Sequence, residues 1–347
     1  MAFGTVSTDV IQTSDGLTFG AGNATLIKNK LINGSMTVDQ RNAGASVTPT
    51  NLQYTLDRWW TWLSQASKFT VQQNAGSVTP PIGFTNYLGI TSSSAYSIGA
   101  SDYFAVSQKI EGFNTADLGW GTANAKTVTL SFQVYSSLTG TFGGSLMNSS
   151  QNSSYPFSYS IPVANTWTSI SVTIAGPTSG TWVGATNGVG IQLNLGFGVG
   201  STFSASAGSW QSGLYMSTTG ATSVVGTNGA TFYITGCQLE RGSSATGFEY
   251  VNYQTSLANC QRYYQTIAGY LTPSNYASGA VATRSGGLTY PVTMRANPTV
   301  AFSSISYVNS SALNIDQNAV WGFSTYATAG GAGGFSITYT STSSAEL

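Results

Sequence analysis

Asp102, Glu111 and Asp117 form the densest group of carboxylates in this 347-residue sequence. Hydrolysis of a glycosidic bond needs two carboxylates that face each other across the bond, and the spacing of these three establishes no such pair. The chain contains no histidine, and residues 127–239 contain no Asp, Glu, Lys or Arg. Acid–base catalysis, activated nucleophiles and metal binding all depend on ionisable groups. The sequence therefore predicts a protein that is not an enzyme and that needs no cofactor and no metal.

Tryptophans are the other residues that could do chemistry here, because indole faces stack on the apolar faces of sugar rings. Three of them lie within two residues of a Gly in the loop-like stretches LGWGT, SGTWVG and GSWQSG, where an aromatic ring is more often exposed than on a strand. These candidates for glycan contact are Trp120, Trp182 and Trp210. A fourth candidate, Trp60, belongs to YTLDRWWTW (54–62), which is either a sugar platform or a first core strand with Trp59 pointing inward.

The composition limits the possible partners. Charged residues make up 6% of the chain, and the 11 basic and 11 acidic groups cancel. Nucleic acids and anionic membranes both require clustered Lys and Arg, so neither is expected as a partner. No stretch approaches the roughly 20 apolar residues of a membrane span. The two cysteines, Cys237 and Cys260, are expected to be small buried residues, and a nearly neutral surface favours association.

Strict alternation of apolar and polar residues dominates from residue 31 onward and predicts half-buried strands. The clearest runs are 128–134, 157–161, 170–174 and 189–197, with shorter ones at 69–71, 104–110 and 232–234. Turn-forming stretches such as GPTSG (176–180) and GTNG (226–229) separate them. The pattern predicts an all-β protein, an antiparallel β-sandwich of the jelly-roll type, with an extended N-terminal arm and a smaller C-terminal β-domain.

Changes of composition along the chain predict the domain boundaries. Residues 1–30 are rich in Gly, Thr and Ser without a period, which indicates an attachment arm that is ordered on a partner. The sandwich is predicted over 31–253. A short linker that could be helical comes next at 254–267, where Leu257, Cys260 and Tyr264 are spaced as on a helix. Further strand-like runs predict a β-rich tip domain at 268–347.

Two pairs of motifs carry a resemblance to a known family. LINGSMTVDQRNAG (31–44), followed by YTLDRWW (54–60), resembles the start of a domain found in many bacteriophage tail-fibre and virion structural proteins. FYITGCQLERGSSATGFEY (232–250), followed by LANCQRYYQT (257–266), resembles its end. The resemblance covers roughly 31–266 and implies a β-sandwich similar to carbohydrate-binding modules, usually displayed in homotrimers on the virion.

The resemblance also implies architectural roles for several residues. Gln238, Leu239 and Glu240 would end the last sandwich strand, and Glu249 and Arg262 would connect the sandwich to the next part of the chain. The family has no agreed ligand residues that could be transferred to this chain.

Composition and resemblance together predict a non-enzymatic tail-fibre subunit of a phage virion, assembled in the bacterial cytoplasm and exposed on the particle. It would form a homotrimer, dock to other virion proteins through residues 1–30, and bind a bacterial surface polysaccharide by aromatic stacking and by Ser, Thr and Asn hydrogen bonds, with affinity multiplied by three copies. One alternative is a head fibre, decoration or connector protein with a purely structural role. A less favoured alternative is a polysaccharide-degrading tailspike.

Overall fold

The chain divides into two compact units, Met1–Asn252 and Tyr253–Leu347. The computed structural model describes residues 28–271, 287–331 and 334–347 and, for the backbone alone, short strands at 10–12, 18–20 and 282–284. Most of the predicted attachment arm, 1–30, lies outside the described residues.

Almost all regular structure in the first unit is β. Its strands are β1 (Val10–Gln12), β2 (Thr18–Gly20), β3 (Tyr54–Leu56), β4 (Trp59–Leu63), β5 (Phe69–Gln73), β6 (Leu88–Ser92), β7 (Tyr103–Glu111), β8 (Val128–Ser136), β9 (Gly140–Met147), β10 (Ser153–Ile161), β11 (Thr168–Ile174), β12 (Val189–Val199), β13 (Ser204–Ala205), β14 (Gln211–Ser212), β15 (Ser217–Thr218) and β16 (Thr231–Arg241). Among the described residues of this unit, single turns of 3₁₀ helix lie at Ala75–Ser77, Gly112–Asn114, Ala116–Leu118 and Ser201–Phe203.

Two antiparallel sheets make the sandwich. One has seven strands in the order β14-β10-β9-β12-β7-β4-β3, and the other has five in the order β11-β8-β16-β6-β5. Apolar side chains from alternate positions of both sheets form one continuous core, because successive residues of a strand point to opposite faces. Examples from the two sheets are Phe104, Leu195 and Phe157, and Leu130, Phe232 and Ile90. The predicted antiparallel β-sandwich of the jelly-roll type is confirmed.

The structure explains why the first resembling motif contains the pair Asn33-Gly34. Asn33 stands in the left-handed region at φ 56°, and its side-chain amide donates to the carbonyls of Val38 and Asp57 and accepts from the Val38 amide. A Cβ on the following residue, Gly34, would overlap the carbonyl oxygen of Cys237. The Asn-Gly pair therefore forms a tight turn that lies directly against the last sandwich strand.

Asp57 connects the two halves of that motif. Its carboxylate accepts from both the backbone and the side-chain amide of Gln40, each at 2.7 Å. Asp57 and its neighbour Arg58 are both 1% exposed, and the Arg58 guanidinium donates to the Lys109 carbonyl at 2.6 Å. Trp59 points inward to the core with 0% exposure, as the core-strand interpretation of this segment predicts.

The second motif ties the start of the described sandwich to its end. Strand β16 ends at Arg241, directly after Glu240, as the resemblance implies. Glu249 accepts from the backbone amides of Lys28 and Asn29 at 2.9 and 2.7 Å. The buried Glu240 accepts from Gln238 and Thr246. The two carboxylates therefore hold irregular backbone segments in place by accepting hydrogen bonds from their amides.

The described residues of the second unit form one helix and seven strands. They are α1 (Tyr253–Gln261), β17 (Tyr264–Leu271), β18 (Ala282–Arg284), β19 (Leu288–Thr289), β20 (Thr299–Val308), β21 (Ser310–Ala319), β22 (Gly322–Ala329) and β23 (Ser336–Ser344). One sheet has the order β17-β23-β20, and in the other β22 pairs with β18, β19 and β21. Its own buried core includes Leu271, Met294, Phe323 and Ile337.

The segment 254–267 is divided between α1 and β17. Cys260 is buried on the helix, whereas Tyr264 begins a strand that pairs with β23 from Tyr264↔Ser344 to Leu271↔Ile337. The helical spacing of Leu257, Cys260 and Tyr264 therefore extends beyond the helix, because strand pairing takes over at Tyr264. Cys237 and Cys260 are both buried, and within the described part of the chain neither belongs to a disulfide bond.

Replacing Gly34 by Ala is expected to lower the free energy of unfolding by about 3 kcal/mol or more, since the added methyl would meet backbone, which cannot rotate away. The measurement is a urea titration followed by tryptophan fluorescence. Gly188→Ala is the matched control, because a Cβ there would meet only side-chain atoms of Thr186 and Val183, at 3.4 and 3.5 Å. Equal stability of the two variants would contradict the proposed close approach at Gly34.

Candidate functional site

The three predicted loop tryptophans come together in one cluster, although 90 residues separate the first from the last. The ring centroids lie 4.9 Å apart for Trp120–Trp182, 5.1 Å for Trp182–Trp210 and 5.5 Å for Trp120–Trp210, all in edge-to-face geometry. Tyr155 of β10 extends the group, with its ring 5.4 Å from that of Trp210. We call these three indoles the tryptophan cluster.

The tryptophan cluster is packed rather than open. Trp120 is 8% exposed and the other two are half-buried, so the expected exposure of loop aromatics is wrong for Trp120. Each indole N–H donates to a backbone carbonyl, of Lys126, Ser179 and Ala175 respectively. The adjoining cavity measures about 60 Å³, which is far below the roughly 300–1,000 Å³ of ligand pockets. Edge-to-face packing of large aromatic rings stabilises the folded chain. The tryptophan cluster is therefore explained by its packing, without a ligand.

The fourth candidate, Trp60, lies on the outer face of the seven-stranded sheet. Trp60 and Trp62 of β4 pair with Ser107 and Ala105 of β7 and belong to a cluster separate from the sandwich core. The same face continues across β12 and β9, where Asn194 pairs with both Ser107 and Ser145.

A segment of the same chain covers the middle of this outer face. Strands β13 and β15 pair in parallel, Ser204 with Ser217 and Ala205 with Thr218. A Cβ on Gly143 would lie 2.8 Å from the Thr218 backbone nitrogen, and one on Gly196 would lie 2.9 Å from Cβ of Ser217. The glycines of β9 and β12 therefore allow β15 to lie flat on the sheet. We call residues 201–219, apart from the edge strand β14, the cover segment.

A row of neutral polar side chains is buried beneath the cover segment. Ser107 donates to Oδ1 of Asn194 at 2.7 Å, Gln192 donates to the same oxygen at 2.8 Å, and the Asn194 amide donates to Ser145 at 3.0 Å. Each of the four is at most 2% exposed. Buried polar groups are stable when they satisfy one another, so this row connects β7, β12 and β9 without any charge.

Beside the cover segment the outer face stays open as a groove of about 400 Å³. We call it the sheet groove; it is lined by Leu52, Trp60, Trp62, Tyr103, Lys109, Gln151, Phe203, Leu214 and Met216. The volume lies within the range of small-ligand sites.

Aromatic rings dominate the sheet groove. Trp60 and Trp62 form its base and are 1% and 7% exposed, with their centroids 5.1 Å apart. Tyr103 and Phe203, both half-buried, stand edge to face at 5.1 Å. Lys109 holds its ammonium 4.8 Å from the Trp60 ring centroid, a cation–π contact. Such a groove is suited to a ligand with apolar faces and neutral polar groups.

Sequence reasoning identified Trp60 but missed Trp62, Tyr103 and Phe203. The sequence did contain a signal for Trp62. Trp60 and Trp62 are two residues apart, so on a strand they must share a face, and with Trp59 pointing inward that face is the outer one. Nothing in the sequence indicates that Phe203, one hundred residues beyond Tyr103, meets it.

The three clustered carboxylates do not form a facing pair across a cleft. Asp102 precedes β7 and Glu111 ends it, so nine residues of extended chain separate them by roughly 30 Å. Partial burial pushes the pKa of Asp102 upward, but hydrogen bonds from Ser64, Gly99 and Tyr96 outweigh that effect and lower the pKa below its usual value. Glu111 is 2% exposed. Asp117 pairs with Lys30 at 2.8 Å.

Within the described ranges, no group of three or more Cys, Asp or Glu side chains is placed to hold a metal ion. None of the helical segments described is long and apolar enough to cross a membrane.

No protein-family model matches this chain, and no curated protein matches it. Among solved structures it is similar to the enzymatically active domain of tailspike protein 4 of bacteriophage CBA120, at 13% identity and a TM-score of 0.33, over 63% of this chain and 22% of that one. It is similar to a putative sugar-binding protein of Bacteroides thetaiotaomicron, at 12% identity and a TM-score of 0.37, over 62% of this chain and 100% of that one. It is also similar to the structure of TmCBM61 in complex with β-1,4-galactotriose, at 11% identity and a TM-score of 0.32, over 62% of this chain and 100% of that one.

Trp210→Ala is expected to lower the free energy of unfolding by about 3 kcal/mol, since removing a packed indole leaves a cavity between Trp120, Trp182 and Tyr155. Differential scanning calorimetry measures the effect. The control is Phe113→Ala, which removes an aromatic ring that is 56% exposed and is expected to change stability by less than about 0.5 kcal/mol. Unchanged stability in Trp210→Ala would mean that this indole is exposed and available for glycan contact rather than packed in the cluster.

Proposed function

We propose that this chain is a bacteriophage virion protein, a tail-fibre subunit that holds a neutral glycan of the bacterial surface in the sheet groove. The observation that carries the proposal is the sheet groove itself, where four aromatic rings surround about 400 Å³ on a sheet face whose buried polar row is uncharged. Aromatic faces and amide or hydroxyl groups together recognise a sugar ring, which is apolar above and below and hydroxylated around its rim.

The phage assignment is supported by how the resembling motifs work in this fold. Gln40 of the first half binds Asp57 of the second, and Gly34 lies against Cys237 of the terminal motif. The spaced motifs therefore form one interacting unit. As part of the proposal, residues 1–30 dock the fibre to other virion proteins.

Self-association, which the proposed homotrimer requires, is supported by an unprotected sheet edge. Strand β11 (TSISVTI) pairs with β8 over seven residues without a bulge, and no described strand pairs with its other edge. Edge strands that stay monomeric are protected by charge, proline or bulges, and β11 has none of these. Pairing with another copy of the chain would satisfy its free backbone groups.

A head fibre, decoration or connector protein without a ligand is the first alternative. A polysaccharide-degrading tailspike is the second, and the roughly 30 Å between Asp102 and Glu111 is far beyond the reach that a pair of catalytic carboxylates needs.

Phe203→Ala is expected to weaken glycan binding by at least tenfold, because it removes one aromatic wall of the sheet groove while Trp62 and Tyr103 stay in place. The probe is an array of host-surface polysaccharides and neutral oligosaccharides, followed by calorimetric titration with the best binder. Phe113→Ala serves as the matched control and should bind normally. If the wild-type chain binds no glycan on the array, the purely structural alternative is favoured. If Phe203→Ala and Phe113→Ala bind equally well, the ligand lies outside the sheet groove.

Ser171→Lys is expected to shift the chain from trimer to monomer, because it places a charge in the middle of the β11 edge, where a neighbouring strand would have to desolvate it. Sedimentation velocity measures the oligomeric state. Asn228→Lys, which adds the same charge in the exposed turn before β16, is the control and should leave the assembly intact. A trimer that persists in Ser171→Lys would show that β11 is not at the subunit interface.

A further inference from the structure

The second unit contains a groove that is larger than the sheet groove. It lies at the end of the β21–β22 hairpin and measures about 560 Å³, within the range of small-ligand sites. We call it the hairpin groove; its lining residues are Gly287, Gln317, Asn318, Ala319, Trp321, Gly322, Phe323 and Ser324.

Trp321 in the hairpin turn differs from the tryptophans of the first unit. It is 57% exposed, whereas Trp60, Trp62 and Trp120 are all below 9% exposed. Its indole N–H makes no hydrogen bond with any described residue, in contrast to the three N–H groups of the tryptophan cluster, which all donate to carbonyls. Both the ring face and the N–H of Trp321 are therefore available to a ligand, and burial of so large an apolar surface favours binding.

Neutral polar groups accompany this ring. Gln317 and Ser324 are directly opposite each other across the hairpin, and neither side chain forms a hydrogen bond within the described part of the chain. The Asn318 amide donates to the Pro298 carbonyl, while its Oδ1 is buried and has no partner among the described residues. An amide, a hydroxyl and an amide oxygen therefore surround the ring with unused hydrogen-bonding capacity.

The charge pattern restricts the ligand. None of the eight described lining residues is Asp, Glu, Lys or Arg. A phosphate or carboxylate ligand would be desolvated there without a counter-charge, which is unfavourable. A hydroxylated ring with apolar faces can stack on Trp321 and exchange hydrogen bonds with Gln317 and Ser324.

We propose that the hairpin groove is a second saccharide-binding site, separate from the sheet groove, in which Trp321 stacks on a neutral sugar ring and Gln317 and Ser324 bind its hydroxyls. The site gives each subunit two contacts with a polysaccharide. It does not depend on whether the sheet groove binds a ligand.

The test uses the full chain in the Phe203→Ala background, where the sheet groove is impaired. Saturation-transfer NMR with maltohexaose, cellohexaose, laminarihexaose, xylohexaose and mannohexaose detects binding, and titration gives the affinity. Trp321→Ala should lower the affinity at least tenfold, while Trp321→Phe should retain part of it. Tyr270→Ala, which removes another exposed aromatic (63% exposed) of the same unit, is the matched control and should bind normally.

Three outcomes would overturn the proposal. The first is the absence of binding tighter than about 10 mM by any of the five oligosaccharides. The second is equal binding by Trp321→Ala and Tyr270→Ala. The third is a change of oligomeric state in Trp321→Ala with saccharide binding intact, which would make the hairpin groove a contact between copies of the chain. Binding by Phe203→Ala as tight as that of the wild-type chain would remove the sheet groove as a site without affecting this test.

Discussion

The seven-stranded sheet is covered on one face by the sandwich core and over the middle of the other face by the cover segment, and the rest of the first unit depends on that constraint. Nine successive residues of β12, from Gly190 to Gly198, are buried, although the strand alternates apolar and small or polar residues. The apolar half faces the sandwich core, and the other half lies under the cover segment. A sheet covered in this way needs neutral polar groups that satisfy one another, because an unpaired charge there would be costly to desolvate.

The small number of charged residues is consistent with the same constraint. Asp57, Glu240 and Glu249 each accept hydrogen bonds from backbone amides, and each does so where the chain passes a strand end or a turn. Asp102 does the same at the start of β7. These carboxylates therefore hold irregular backbone in place, at positions where each accepts several short hydrogen bonds.

The aromatic residues divide into two classes by their surroundings. In the tryptophan cluster, ring packing and internal N–H bonds satisfy every indole. In the two grooves, some rings keep exposed surface: Tyr103 and Phe203 are half-buried, and Trp321 is 57% exposed. Loop position alone does not distinguish the classes, since Trp120 and Trp321 both lie in glycine-containing turns. What distinguishes them is whether other segments fold over the ring.

Alternation in the sequence determined the fold class, because residues two apart on a strand must face the same side. The core-strand interpretation of YTLDRWWTW placed Trp60 on a strand, and the motifs around Asn33 and Asp57 marked the start of the sandwich domain by resemblance. Only the tertiary structure decided which faces are open. The sequence of β12 does not show that residues 201–219 fold back over it, nor that Trp120, Trp182 and Trp210 meet. These contacts join segments far apart in the chain, and their formation depends on close approach at single glycines such as Gly143 and Gly196, which local periodicity does not encode.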